Sequence, residues 1–313
     1  MKPAHRPPQL PLGTQVVLRA AVDDGTGLAV PRGGTGRVDA VTPDGRYVVR
    51  VVDGRTVVVE REQVTLFRNY QREVGIGTEL GPEPVARLVR EHTIYAVVVG
   101  SRAFGLATDE SDTDTRGVYV APTAAFWSLT KPPMHIDGPD LEWFSWEVER
   151  FCELALKANP NLLEVLHSPL VVECTALGHE LLELRPAFLS QLAYQTYSGY
   201  VLSQFKKLEA DFRRLGAPKW KHVMHLLRLL LSVRELLATG RLMVDAGPYR
   251  ERLLAVRRGE SSWDDVERWR LELHAGIDDA LARSPLPAVP DVLRVDNWLQ
   301  SVRRRGANAK EER

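Results

Sequence analysis

Residues Thr93-Ile94-Tyr95-Ala96-Val97-Val98-Val99 form an unbroken β-rich run that stops at Gly100-Ser101. The run lacks the polar alternation of a half-solvated strand, so it reads as a strand buried on both faces. Gly100 permits a close backbone approach at its end. A short segment, 102–107, follows the Gly-Ser turn. Backbone N–H groups exposed at the opening of a helix attract phosphate, and the Ser101 hydroxyl adds a donor.

Some ten residues on comes Asp112-Thr113-Asp114, leading into a second strand candidate at 114–120. Aspartates at i and i+2 of a strand put both carboxylates on one face. Two hard oxygen ligands side by side suit Mg2+, which combines one or two carboxylates with substrate phosphates. Either piece alone is commonplace, because solvated loops are full of aspartate. Their order gives the signal: strand, Gly-Ser, helix start, then Ser-Asp-x-Asp entering a strand is a phosphate cradle facing a metal site.

The flanking chain predicts an α+β protein. Residues 12–67 carry short β-branched runs such as Tyr47-Val48-Val49-Arg50-Val51-Val52, separated by Pro43-Asp44-Gly45 and Asp53-Gly54 turns. That pattern predicts a small SH3-like β-barrel. Residues 1–11 and 306–313 read as disordered tails, and 68–84 as a linker. A mixed-sheet core is expected over 85–150, with a third strand candidate at 141–146. From 151 to 305 the pattern is helical, with segments at 148–157, 161–167, 188–215, 219–239, 262–282 and 290–304.

The block Gly-Ser-Arg-Ala-Phe-Gly-Leu-Ala-Thr (100–108) with Ser-Asp-Thr-Asp-Thr-Arg-Gly (111–117) resembles the DNA polymerase beta-like nucleotidyltransferase superfamily. More narrowly, it is similar to a bacterial predicted-nucleotidyltransferase family linked with RNA ligase and RNA repair. The segments 156–164 (Leu-Lys-Ala-Asn-Pro-Asn-Leu-Leu-Glu) and 221–228 (Lys-His-Val-Met-His-Leu-Leu-Arg) resemble helical parts of the same family. The likeness covers roughly residues 93–240 and leaves the first 67 outside it.

The resemblance implies two-metal phosphoryl chemistry with Mg2+, or Mn2+ in its place. Asp112 and Asp114 would be metal ligands, and Gly100 and Ser101 would hold the phosphates of a nucleoside triphosphate such as ATP. The superfamily uses a third carboxylate on a neighbouring strand. Asp137, Asp140, Glu142 and Glu147 are all near; Glu142 is favoured as catalytic and metal-binding residue, with Asp140 second. The acceptor implied is a hydroxyl on an RNA end, tRNA included.

Two roles fit Arg116, which follows Asp114 at i+2: neutralising a phosphate or pairing with the aspartates. Arg102 is a similar case. Lys221, His225, Arg228, Ser232 and Glu235 recur at helical spacing and form a polar stripe. Such a side is usually just wet, but Lys221, His225 and Arg228 are candidates for nucleotide contact. Lys plus Arg (41) equals Asp plus Glu (41), so a polyanion would have to be held by a local patch. The two cysteines, Cys152 and Cys174, form no metal spacing, and no apolar run is long enough to span a bilayer. A cytoplasmic protein without membrane contact is expected. An antitoxin-type or small-molecule nucleotidyltransferase, and a non-catalytic nucleotide sensor or RNA-binding adaptor, stand as alternatives.

Overall fold

The computed structural model describes residues 10–23, 25, 27–73, 82–109, 111–138, 142–215 and 218–308. The chain divides into two compact units, residues 1–79 and 80–313.

The first unit contains β1 (Gln15–Leu18), β2 (Val22–Asp23), β3 (Ala29–Val30), β4 (Thr35–Val41), β5 (Tyr47–Val51), β6 (Thr56–Val59), β7 (Val64–Leu66) and helix α1 (Phe67–Glu73). Five strands form an antiparallel sheet in the order β6-β5-β4-β1-β7, while β2 pairs with β3 separately. The tight turns at Asp44-Gly45 and Asp53-Gly54 work because both glycines take φ of +87°. Alternation buries Val16, Leu18, Val38, Tyr47, Val49, Val57, Val59 and Val64 in one cluster. Leu10 joins that cluster, and its N–H donates to the Tyr47 hydroxyl at 3.2 Å. Among the described residues the ladder is open between β6 and β7. Of the linker expected over 68–84, residues 68–73 and 82–84 are helical, and 74–81 lie outside the described residues.

The second unit is built from α2 (Pro82–His92), β8 (Thr93–Val98), α3 (Gly100–Ala103), β9 (Thr115–Tyr119), β10 (His135–Asp137), β11 (Trp143–Glu147), α4 (Val148–Leu156), α5 (Pro160–His167), β12 (Val171–Cys174), α6 (Ala176–Glu183), α7 (Arg185–Phe188), α8 (Leu192–Leu215), α9 (Trp220–Thr239), α10 (Arg250–Arg257), α11 (Trp263–Ala282) and α12 (Val292–Asn308). Its sheet is mixed, in the order β10-β11-β9-β8-β12, with β9 and β11 parallel and the other neighbours antiparallel. The apolar run at 93–98 is β8, with five of its six residues buried. Two strands of this sheet, β10 and β12, had no counterpart in the sequence pattern. β12 is a short edge strand whose Val171 and Val172 are half exposed, so no burial alternation marks it.

Alternation along the strands separates two faces. Val118 faces the large core shared with the helices, whereas Tyr119 packs with Val89 of α2, Ala121 and Ile136 on the other side. The parallel β9–β11 register pairs Phe144 with Arg116 and Trp146 with Val118. Arg116, Phe144 and Trp146 therefore stand on the face that carries the helical layer. Within that layer α9 packs against α8, α10 and α11. Asn159 opens α5: its side chain accepts from the Asn161 N–H at 3.0 Å, and Pro160 takes the first helical position. α12 runs to Asn308, so residues 306–308 are helical rather than tail. No helix among the described residues is long and apolar enough to cross a membrane.

Candidate functional site

A cavity of about 730 Å3 lies between the helix-covered face of this sheet and the helices. The Gly-Ser turn contributes Gly100, Ser101 and Phe104, and the chain entering β9 contributes Asp112, Asp114 and Arg116. Phe144 and Trp146 come from β11, Asn161, Glu164 and Val165 from α5, and Arg257 from α10. Lys219, Lys221, His222, Met224 and His225 come from the start of α9.

The turn itself follows from its glycine. Val99 is still extended, and its N–H donates to the Asp114 carbonyl at 2.9 Å. Gly100 then turns left-handed, with φ of +70°. A Cβ at this position would stand 3.1 Å from Asp114 Oδ2, so the carboxylate lies directly against the turn. The loop after α3 is held from far along the chain. The Ala246 N–H donates to the Phe104 carbonyl at 2.9 Å, Arg250 Nε to Gly105 at 2.8 Å, and Arg257 Nη1 to Leu106 at 2.9 Å. Gly105 is also left-handed, and a Cβ there would come within 2.6 Å of Asp245 Oδ2. The helical layer thus fixes successive carbonyls of the loop that carries the turn.

Asp112 is exposed and Asp114 half-buried, both lining the cavity. Arg116 Nη2 donates to Asp114 Oδ1 at 3.2 Å, and Arg116 Nη1 donates to the carbonyls of Thr115 and Glu142. Arg116 therefore pairs with an aspartate and faces the cavity at once. Arg102 does not line it; its Nη2 holds the Ser111 carbonyl at 2.9 Å, steadying the approach to Asp112.

The carboxylates weighed as a third ligand fall differently. β11 starts at Trp143, two residues later than the strand expected over 141–146, and so leaves Glu142 outside it. Glu142 takes φ of +64°, an exposed left-handed position, although the β9–β11 register brings its backbone beside Asp114. It does not line the cavity. Asp140 lies outside the described residues. Asp137 is on the outer strand β10, paired with Phe144. Glu147 is fully buried on the opposite sheet face, where Arg303 grips both its oxygens at 2.8 Å and the Glu149 N–H donates to it. Among the described residues no three His, Cys, Asp or Glu side chains converge as a metal-binding group.

On α9 the polar stripe is not the wet side. Lys221 and His225 line the cavity, but Arg228 and Ser232 are each 1% exposed. Ser232 Oγ donates to the Met243 carbonyl at 2.6 Å, so the loop after α9 covers part of that face. Arg228 Nη2 donates to Glu164 Oε1 at 2.6 Å, and its guanidinium lies 3.5 Å over the Phe104 ring. Arg228 does not line the cavity. Phe104, Phe144, Asn161, Glu164, Lys219, His222 and Arg257 are lining residues that the sequence pattern did not single out. Lys219 and His222 flank Lys221 in a basic cluster that was visible; Arg257 carries no local signature.

Burial pushes the His225 imidazole down to about 3, and Arg228 and His222 push the same way. An ordinary histidine titrates near 6.5. The ring is thus neutral at physiological pH and meets a ligand as a hydrogen-bonding group, not a cation. Because the unfolded chain binds this proton below about pH 6.5 and the folded chain does not until about pH 3, this group makes stability fall as pH drops through that window. We expect the His225 ring resonances to stay constant from pH 8 to about pH 5 in an NMR titration assigned with His225→Gln. A midpoint near that of a free histidine would show that the ring is solvated.

The chain is 30% identical over 144 residues to the uncharacterized protein YcgL of Bacillus subtilis (strain 168), a stretch covering 44% of this chain and 54% of that protein. The match thus spans about half the length of that relative. RlaP, the RNA repair pathway DNA polymerase beta family, matches residues 78–301, which takes in the Gly-Ser turn, the aspartate pair, the mixed sheet and most of the helical layer. Shared sequence over that span, on a chain whose turn and aspartates face one cavity, means that it belongs to the RNA repair pathway DNA polymerase beta family.

Proposed function

We propose that the protein is a Mg2+-dependent nucleotidyltransferase that moves a nucleoside monophosphate from a nucleoside triphosphate to a hydroxyl on an RNA end, releasing pyrophosphate. The observation that carries this reading is the Asp114 carboxylate lying against Gly100, with Asp112 and Ser101 facing the same cavity.

The donor set fits the metal. Two carboxylates at one corner of an open cleft match Mg2+, which completes its shell with substrate phosphates and water. Asp112 and Asp114 would hold it, and bound there it would neutralise charge on the reacting phosphates. The backbone at 100–101 and the Ser101 hydroxyl would take phosphate oxygens, with Arg116, Lys219 and Lys221 adding positive charge. The exposed faces of Phe144 and Trp146 would receive the base. The acceptor oxygen attacks the α-phosphorus as the bond to the β-phosphate oxygen breaks. Pyrophosphate leaves, and the hydroxyl proton goes to solvent at the cleft mouth. Positioning and charge neutralisation supply most of the rate. Glu142 is the proposed third ligand, reaching the pair by rotation of its left-handed turn. The first unit is proposed to be a small SH3-like barrel, and the protein to be cytoplasmic.

The test is incorporation of label from each α-phosphate-labelled triphosphate into cellular RNA and into short RNAs with free 3′ hydroxyls, with Mg2+ or with chelator. Transfer of one or more nucleotides, abolished by chelator, is the expected result. The lack of a converged third carboxylate among the described residues favours one rival, a nucleotide-binding sensor. Tight triphosphate binding with no transfer to RNA, protein or small-molecule hydroxyls would establish that rival instead.

A further inference from the structure

Exposed cations without a carboxylate are common on the second unit, Arg241, Arg252 and Arg283 among them, and by themselves mark no site. Arg257 is a different case, because it is partly buried and lines the cavity. Other arginines drawn into this unit are neutralised: Arg228 meets Glu164, Arg270 meets Glu267 and Arg303 meets Glu147. The second arginine of the cavity, Arg116, meets Asp114. Arg257 has no carboxylate partner among the described residues, and its hydrogen bond there runs from Nη1 to the Leu106 carbonyl at 2.9 Å. Its other nitrogens, Nε and Nη2, have no partner among the described residues and are not sealed from solvent.

The Nε–Nη2 edge of a guanidinium carries two parallel donors that match two oxygens of one carboxylate or phosphate. Arg258 uses that edge on Glu260. A relay of contacts fixes where the edge of Arg257 stands. Asp114 lies against Gly100, the Ser101 carbonyl accepts from the Leu106 N–H at 2.8 Å, and the Leu106 carbonyl accepts from Arg257. The guanidinium is therefore beside the Gly-Ser turn, on the side away from the aspartates. Trp220, between Lys219 and Lys221, packs just past Arg257: a Cβ at Gly259 would stand 2.9 Å from Trp220 Nε1. A triphosphate that starts at the aspartates and runs along the turn ends at Arg257.

We propose that the Nε–Nη2 edge of Arg257 grips the terminal phosphate of the nucleoside triphosphate and makes the site select triphosphates over diphosphates and monophosphates. This rests on the transferase reading above and adds the residue that recognises the leaving group. As the bond from the α-phosphorus breaks, negative charge gathers on the departing pyrophosphate, and a fixed guanidinium already faces it. The Leu106 carbonyl holds Nη1, so the fork is oriented before the nucleotide arrives.

The test measures the affinity of the full chain for ATP, GTP, CTP and UTP, and for the matching diphosphates and monophosphates, by isothermal titration calorimetry with Mg2+ and no RNA. Arg257→Gln should weaken triphosphate binding on the order of tenfold, the loss expected for charge-assisted hydrogen bonds, and leave diphosphate and monophosphate binding as in the wild type. Arg257→Lys keeps the charge and a donor for Leu106 but not the fork, and should show the same selective loss to a smaller extent. Arg250→Gln is the control. Arg250 also clamps this loop, through the Gly105 carbonyl, but does not line the cavity, so its triphosphate-to-diphosphate ratio should stay at the wild-type value. Affinities that fall alike for triphosphates and diphosphates in both Arg257 variants would reduce Arg257 to a clamp on the loop and overturn the proposal. Unchanged triphosphate affinity in Arg257→Gln would overturn it too, as would a wild type that does not prefer triphosphates. Label transfer reads the transferase assignment separately. Transfer with an unaltered ratio in the variants rejects the role of Arg257 alone, whereas an Arg257-dependent ratio without transfer rejects the enzyme alone.

Discussion

Asp114→Asn lowers nucleotide transfer by about a thousandfold or more and leaves the protein folded; Asp112→Asn does the same. The expectation comes from charge, because the two variants change almost nothing else. Asparagine keeps the shape of the side chain, so the close fit of residue 114 against Gly100 survives. It also keeps an oxygen for Arg116, whose 3.2 Å contact is part-exposed, 27% and 42% for the two side chains. A pair that exposed contributes at most about 1 kcal/mol. The stability change should therefore be small, while half of the anionic ligand set is gone. Label transfer under saturating Mg2+, read beside a thermal melt, separates the two effects. A doubly substituted protein that still transfers nucleotide at the wild-type rate would remove the aspartates from the chemistry.

What the sequence revealed of this site was the part encoded in local order. Gly100-Ser101 and Asp112-Thr113-Asp114 are contiguous signals, and the glycine at 100 is needed where the chain turns left-handed. The hairpin turns of the first unit were readable for the same reason, since Asp44-Gly45 and Asp53-Gly54 name their own geometry. Interactions made across the chain left no such mark. Arg257 holds Leu106 from 151 residues away, and Glu164 meets Arg228 from 64 residues away. Periodicity correctly set Lys221, His225, Arg228 and Ser232 on one side of α9. It could not say that Glu164 of α5, the Phe104 ring and the Met243 carbonyl close over Arg228 and Ser232 on that side. The start of β11 was misplaced because a left-handed turn falls at Glu142, where no glycine announces it.

Removing one member of the Glu164–Arg228 pair should destabilise the protein by about 3–5 kcal/mol, as for other buried pairs broken on one side. Their side chains are 7% and 1% exposed and meet at 2.6 Å, so either single change strands a charge in the interior. That destabilisation is comparable to the whole stability of a marginal domain, about 5–15 kcal/mol. The pair is also imperfectly served: Arg228 Nε and Nη1 are buried with no hydrogen-bond partner. Desolvation of the guanidinium is thus only partly offset, and apolar groups of similar size should be tolerated better than either half alone. Glu164→Leu with Arg228→Met should recover most of the stability missing from each single variant, read by urea unfolding as a double-mutant cycle. The same cycle decides what Arg228 does for the site. Its guanidinium lies over Phe104, in the loop that follows the Gly-Ser turn, and does not line the cavity. If it acts by packing, triphosphate affinity returns in the double variant along with stability, because methionine can cover the same ring. A double variant that folds firmly but binds triphosphate as poorly as Arg228→Met would make Arg228 a direct nucleotide ligand, and a single Arg228→Met as stable as the wild type would mean that no charge is stranded.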